Sequence, residues 1–179
     1  MKKYFFIAAM ILLASNAMSQ GTLVSLTGGY ASANIEESDT KGTGWRINGN
    51  YEFNYMGGKF SHGLSFGYIN LKASANNIDY TINSFPLYYA PKFTFGQDKL
   101  KVFLKGALGM QYAGLKRAGT TTTYKDDDFG FYGGGGTGLN YFIKENIFLT
   151  AEYEIAWVTN SFYKDGWIST IGGGIGYRF

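Results

Sequence analysis

From Trp45 to Tyr55 the chain keeps a strict two-residue period. Trp45, Ile47, Gly49, Tyr51, Phe53 and Tyr55 are aromatic, aliphatic or glycine, and Arg46, Asn48, Asn50, Glu52 and Asn54 between them are all polar. Successive side chains of an extended strand point to opposite faces, whereas a helix would scatter both sets around its circumference. The segment is therefore a strand with one apolar face. A lone strand can neither bury that face nor satisfy its two backbone edges. The rest of the chain must supply neighbours for both edges and an apolar surrounding for the face.

The same period recurs along the chain. Strands are predicted at Leu23–Ser32 (Val24, Leu26, Gly28 and Tyr30 on one face), Thr43–Met56 and Phe60–Lys72 (Leu64, Phe66, Tyr68). A fourth runs over Tyr80–Phe95, with Phe85, Leu87, Tyr89 and Phe93 on one face. Leu100–Tyr112 sets Val102, Leu104, Leu108 and Met110 against Lys101, Lys105 and Gln111, and Phe129–Ile143 is centred on Gly133–Gly136. Ile147–Thr159 and Trp167–Phe179 complete a set of eight strands. Pro86 and Pro91 each remove a ladder donor, so a bulge or bend is expected there. Short connections fall at 56–59, 96–99 and 144–146. Longer ones fall at Glu36–Gly44, Ala73–Asp79, Gly114–Asp128 (the longest) and Asn160–Gly166. If the last strand pairs with the first, every edge is satisfied, and the fold is an eight-stranded antiparallel up-and-down β-barrel. Strands of roughly 10 residues, at about 3.3 Å per residue and about 40° tilt, span about 25 Å, the apolar thickness such a barrel needs to cross a membrane.

Residues 1–19 have the form of an export signal. Lys2 and Lys3 precede an apolar run from Tyr4 to Ala14, and Ala17-Met18-Ser19 offers the small residues of a cleavage site, which leaves 20–179 as the barrel domain. The run is too short for a spanning helix. Removal of Lys2 and Lys3 leaves 14 basic residues against 13 acidic, a balance without broad attraction for nucleic acid. The chain has no cysteine, so it has no disulfide, thiolate metal site or lipidated cysteine.

Alternation alone does not say which face is the lumen. A secreted soluble barrel has the same period with the greasy side inward. Three features favour lipid outside. Aromatics gather at strand ends, with Trp45, Tyr55, Trp157 and Trp167 as interfacial residues. The polar face mixes charge with glycine, as suits a narrow interior. The last strand ends on an aromatic. That strand, with Gly174, Tyr177 and Phe179, resembles the C-terminal signal read by the outer-membrane assembly machinery, although Gly172 stands where the signal usually has a polar residue. The chain from Gln20 to Phe179 is similar to the small eight-stranded OmpA/OmpX/OmpW-like barrels of Gram-negative outer membranes. The resemblance implies an integral outer-membrane protein whose partners are membrane lipid, lipopolysaccharide and the assembly machinery.

The candidate lumen residues are Arg46, Glu52, Lys105, Glu152, Glu154 and Arg178, all on the polar face. Unpaired charge in so narrow an interior costs several kcal/mol, so these groups are expected to pair. They form either a plug that holds the barrel closed, in a protein of envelope integrity or surface contact, or the constriction of a narrow solute channel. A lipid-modifying enzyme is the third reading. His62 is the only histidine, and Ser61 beside it points to the opposite face, so no catalytic residue is assigned. The glycine runs lack the lysine and helix of a phosphate loop. Asp126-Asp127-Asp128 is read as a solvated acidic loop, and no metal or cofactor is expected.

Overall fold

The computed structural model describes residues 21–53, 59–96, 99–119 and 123–179, so the export segment and Tyr55 lie outside the described residues. Nine strands follow in order: β1 Leu23–Ile35, β2 Thr40–Phe53, β3 Phe60–Ala75, β4 Ile78–Tyr89, β5 Lys92–Phe95, β6 Leu100–Ala118, β7 Thr123–Phe142, β8 Ile147–Val158 and β9 Tyr163–Arg178. β4 and β5 are two parts of one stave. Both pair with β3 and with β6, and the register runs unbroken from Leu64↔Tyr89 to Ser61↔Lys92 and from Tyr89↔Leu108 to Lys92↔Lys105. Each stave pairs antiparallel with its sequence neighbours, and β1 pairs with β9 from Leu23↔Arg178 to Ala33↔Ile168. The result is a closed eight-staved barrel.

The prolines interrupt the ladder without the expected bulge. Pro91 separates β4 from β5, and backbone bonds from Ala90 N to Gly63 O and from Gly106 N to Pro91 O, both 2.8 Å, hold the stave in line. Pro86 still faces Gln111 on β6, while the β3 pairing lapses between Phe66↔Leu87 and Ile69↔Ser84. A missing donor costs a rung and leaves the residue count on each side unchanged. The one shift at the β1–β9 seam falls between Ala33 and Ile35, where Gly166 adopts φ +68°.

The exposed face is the apolar one. Trp45 and Ile47 are each 46% exposed, whereas Asn48 is fully buried and Glu52 is 7% exposed. Leu26, Leu64, Phe66, Leu87, Leu104, Leu108, Ile171 and Ile175 are likewise exposed around the wall. In water this belt would be a severe aggregation liability; in hydrocarbon it is the required surface.

The connections beyond β1, β3, β6 and β8, together called the tip, are much shorter than expected. Of the predicted loop Glu36–Gly44 only 36–39 lies outside the strands; within the predicted loop Gly114–Asp128, β6 runs on to Ala118 and β7 begins at Thr123, so that Asp126, Asp127 and Asp128 are laddered opposite Leu115, Gly114 and Ala113. The β3–β4 connection is a two-residue hairpin in which Asn76 and Asn77 take φ 52° and 62°, the primed turn that matches strand twist. The strands simply continue past the apolar belt. The opposite end, where β2 leads to β3, β5 to β6 and β7 to β8, is the base.

Along these strands the alternation changes phase. Toward the tip the inward positions become apolar, with Ala31, Ala33, Ile35, Leu71, Ile82 and Leu115 packed in one buried cluster with Val158, Phe162 and Ile168. The neighbouring outward positions become polar: Ser32, Asn34, Lys72, Thr81 and Lys116. A line of outward aromatics marks the change. Trp45 and Tyr68 are 5.1 Å apart, Tyr68 and Phe85 5.0 Å, Phe85 and Tyr112 6.4 Å, and Phe131 and Trp157 6.4 Å between ring centres. Trp157 is paired with Trp167, and Tyr30 with Trp45. At the base a second line gathers Phe53 and Phe60 around His62, with Phe93 on Phe95 and Tyr177 on Phe179. Staves of about ten residues between the two lines give a belt about 25 Å tall.

Candidate functional site

At mid-height the inward side chains of β2, β4, β6, β7, β8 and β9 meet across the barrel. Period 2 places Arg46, Lys105, Glu152 and Glu154 on the inner face, and the register of β8 with glycine-bearing stretches of β7 and β9 gives the two glutamates room to reach the centre. Arg46 Nη1 lies 2.9 Å from Glu154 Oε1 and donates at 2.8 Å to Thr170 Oγ1. Arg46 Nη2 donates to the Tyr88 hydroxyl at 2.6 Å. Lys105 Nζ sits 2.7 Å from both Glu152 Oε2 and Glu154 Oε2, and Thr27 Oγ1 donates to Glu152 Oε1 at 3.1 Å. Tyr132 donates to Glu154 Oε1 at 2.5 Å and Tyr88 to Oε2 at 3.1 Å, with the two rings stacked 5.0 Å apart. Glu154, only 1% exposed, thus takes five donors from four side chains: Arg46 (twice), Lys105, Tyr88 and Tyr132. Such saturation is the condition under which buried charge is tolerated.

Two of the six expected lumen charges lie apart from this cluster. Glu52 is one level nearer the base, where it pairs with Lys92 and accepts from Ser61 Oγ at 2.7 Å. Arg178 does not join the ion pairs at all: it is exposed at the base, its guanidinium 5.5 Å from the Phe142 ring centre. Its strand ends there, so the inward parity that it shares with Thr170 carries it out of the narrow interior. Tyr88, Tyr132 and Lys92 were missed. Each lies on the inward parity of its strand, and that parity is the available signal; the tyrosines carry no charge to mark them, and the prolines around Lys92 obscure its phase.

The inner glycines make the space. A Cβ on Gly138 would lie 2.4 Å from Phe103 Cζ, and one on Gly176 2.1 Å from Phe148 Cζ. The cavity between Lys105, Glu152, Glu52 and Lys92 measures only about 20 Å³, room for about one water. His62 contacts the Tyr89 hydroxyl through Nδ1 and faces outward, whereas Ser61 faces inward to Glu52. Asp128 accepts from Ser161 N at 2.7 Å and Ser161 Oγ at 3.0 Å, and no metal-binding cluster occurs among the described residues. Trp45, Trp157 and Trp167 all stand in the aromatic line on the tip side of the belt, and Gly174 lies at the β1–β9 seam, opposite Thr27.

Known structures share this architecture. Neisserial surface protein A matches with a TM-score of 0.69 at 16% identity over 88% of this chain and 97% of its own. Ail, the attachment invasion locus protein of Yersinia pestis, matches with a TM-score of 0.57 at 19% identity over 90% and 100%. The N-terminal β-barrel domain of Pseudomonas aeruginosa OprF matches with a TM-score of 0.54 at 14% identity over 89% and 98%. No curated protein sequence is significantly similar to the chain. At sequence level, residues 5–179 match the outer membrane protein beta-barrel domain, and the chain belongs to that family.

Proposed function

We propose that this protein is a non-conducting outer-membrane barrel with a structural and surface-directed role. The observation that carries the reading is the saturated Arg46–Glu154–Lys105–Glu152 cluster across the barrel axis, with the apolar cluster of Ile35, Leu71, Ile82 and Leu115 stacked on its tip side. An ion that entered would have to displace paired charge and then cross an apolar layer. The base faces the periplasm and the tip faces outward. This sidedness is supported by the strands that overrun the belt only at the tip, where their outer faces are polar. The names of two structural neighbours, a surface protein and an attachment invasion locus protein, agree with outward contact. Separation of His62 from Ser61 across the wall argues against hydrolase chemistry.

A narrow solute channel is the second reading, favoured by the 170 Å³ vestibule that opens from the base toward Glu52. Planar-bilayer recording of the purified protein and of Glu152→Ala separates the two. The expected result is no resolved conductance from either and a lower melting temperature for the variant. A resolved conductance that changes in Glu152→Ala without loss of stability supports the channel and defeats the first reading.

A further inference from the structure

The base holds an arrangement that the mid-height cluster does not use. Lys101 on β6 and Arg178 on β9 converge on one buried ring, Phe142, at 5.2 Å and 5.5 Å from its centre. They line both the 170 Å³ vestibule inside the mouth and a 410 Å³ recess on the rim. Lys59 joins them in the vestibule, and Lys99 and Lys144 in the recess. Two described side-chain carboxylates line these cavities: Glu52, already held by Lys92, and Glu145 on the rim. Among the described residues, none of the five cations has a carboxylate within ion-pair distance. Asn140, paired with Lys101 in the ladder and only 3% exposed, lines the vestibule with its Oδ1 unpartnered. Polar groups so deeply buried are normally hydrogen-bonded. Like charges gathered on one ring beside an idle amide are arranged for a ligand that brings negative charge and hydroxyls.

The rim recess also reaches the lipid-facing wall at Ile143, which is 50% exposed. Cations on one side and hydrocarbon contact on the other fit a molecule with an anionic head and an acyl tail. We propose that the base mouth binds the phosphodiester headgroup of an anionic phospholipid from the leaflet at that rim. Arg178 and Lys101 hold the phosphate oxygens, Asn140 accepts from a headgroup hydroxyl, and the acyl chain descends past Ile143. A zwitterionic choline head would bring its ammonium against the same cations. The site requires the transmembrane placement and is indifferent to which compartment the base faces, so it can fail while the functional reading above stands, and the reverse.

The test is lipid retention. The full-length barrel is reconstituted in nanodiscs of equal phosphatidylglycerol and phosphatidylcholine and extracted in mild detergent, and the bound lipid is quantified by mass spectrometry. Phosphatidylglycerol should be enriched, and Lys101→Gln or Arg178→Gln should each lower the enrichment about fivefold. Lys101→Arg should restore it, and Lys116→Gln at the tip should leave it unchanged. Asn140→Ala keeps every cation, so a loss of enrichment there identifies a built site. Heat-modifiable gel migration checks that each variant is folded. Equal retention of the two lipids overturns the proposal, as does enrichment untouched by Asn140→Ala, which marks a diffuse basic surface. A saturable ³¹P shift with inorganic phosphate in phosphatidylcholine discs, without phosphatidylglycerol enrichment, assigns the pocket to the free ion and also overturns it.

Discussion

Single residues in this barrel are constrained more by room than by chemistry. A Cβ on Gly174 would lie 1.9 Å from Leu26 O and one on Gly44 1.9 Å from Asn70 O, contacts with backbone that no rotamer change relieves. These are points of close strand approach in a narrow, strongly coiled sheet. Gly174→Ala should destabilise the β1–β9 seam by about 1–3 kcal/mol, measured as a lower temperature for the gel-mobility transition of the folded barrel. Gly174 lies in the stretch that resembles an assembly signal, and its packing supplies an independent reason for glycine. At the cluster, Glu154→Ala leaves Arg46 without its carboxylate and Lys105 with Glu152 alone, and should cost about 3–5 kcal/mol, whereas Tyr132→Phe removes one donor and should cost about 1–2 kcal/mol. Equal losses in the two variants would contradict the central place of Glu154. The charged members of this cluster were legible because their parity put them all indoors. Which carboxylate met which cation was not, because pairing depends on stave register, and register is set by contacts between strands far apart in sequence.

Among elements, the β6–β7 hairpin departs most from expectation. Its strands hold 19 and 20 residues, and pairing with β8 stops at Tyr132↔Val158. Beyond that point Asn160 Nδ2 and Ser161 N cap Asp128, and Thr123–Asp127 present an edge with no strand beside it. Lys125, Asp126 and Asp127 on that edge are the charges that keep open edges from pairing indiscriminately. Hydrogen exchange should find alternate amides of Thr123–Asp127 exchanging fast while their β6-bonded neighbours are slow; uniform protection would mean that the edge is covered. In the sequence the segment reads as a loop because patterning detects a strand by its one apolar side. Above the belt both sides of the hairpin meet water, so the alternation disappears while the ladder persists. The Asn76-Asn77 turn was hidden in the same way, inside a stretch whose polarity suggested a longer loop. Its left-handed backbone suits asparagine, and Asn77→Val should cost about 1–2 kcal/mol in thermal unfolding.

For the whole molecule, barrel closure was legible from period 2, since eight one-sided strands admit few other solutions, whereas the outward apolar face was legible only with the aromatics at strand ends, the mix of charge and glycine on the polar face and the aromatic that ends the last strand. The change of phase near the tip is written in the sequence: Ala31, Ala33 and Ile35 alternate with Ser32 and Asn34 in the opposite sense to Val24 and Leu26. Placement in the bilayer can be checked with the three tryptophans, which sit in one aromatic line. Lipids brominated near the headgroup should quench Trp45, Trp157 and Trp167 more than lipids brominated at the chain ends. The inverse order would displace the belt by half its height. The switch from grease outside to grease inside gives the barrel a waterline. If it rode lower by one pair of residues, about 7 Å along a strand, Ser32 and Lys72 would sink into oil; if it rode higher by the same amount, the greasy row at the base would surface. Its draught is therefore fixed to about one pleat, and a membrane of another thickness must deform to meet it.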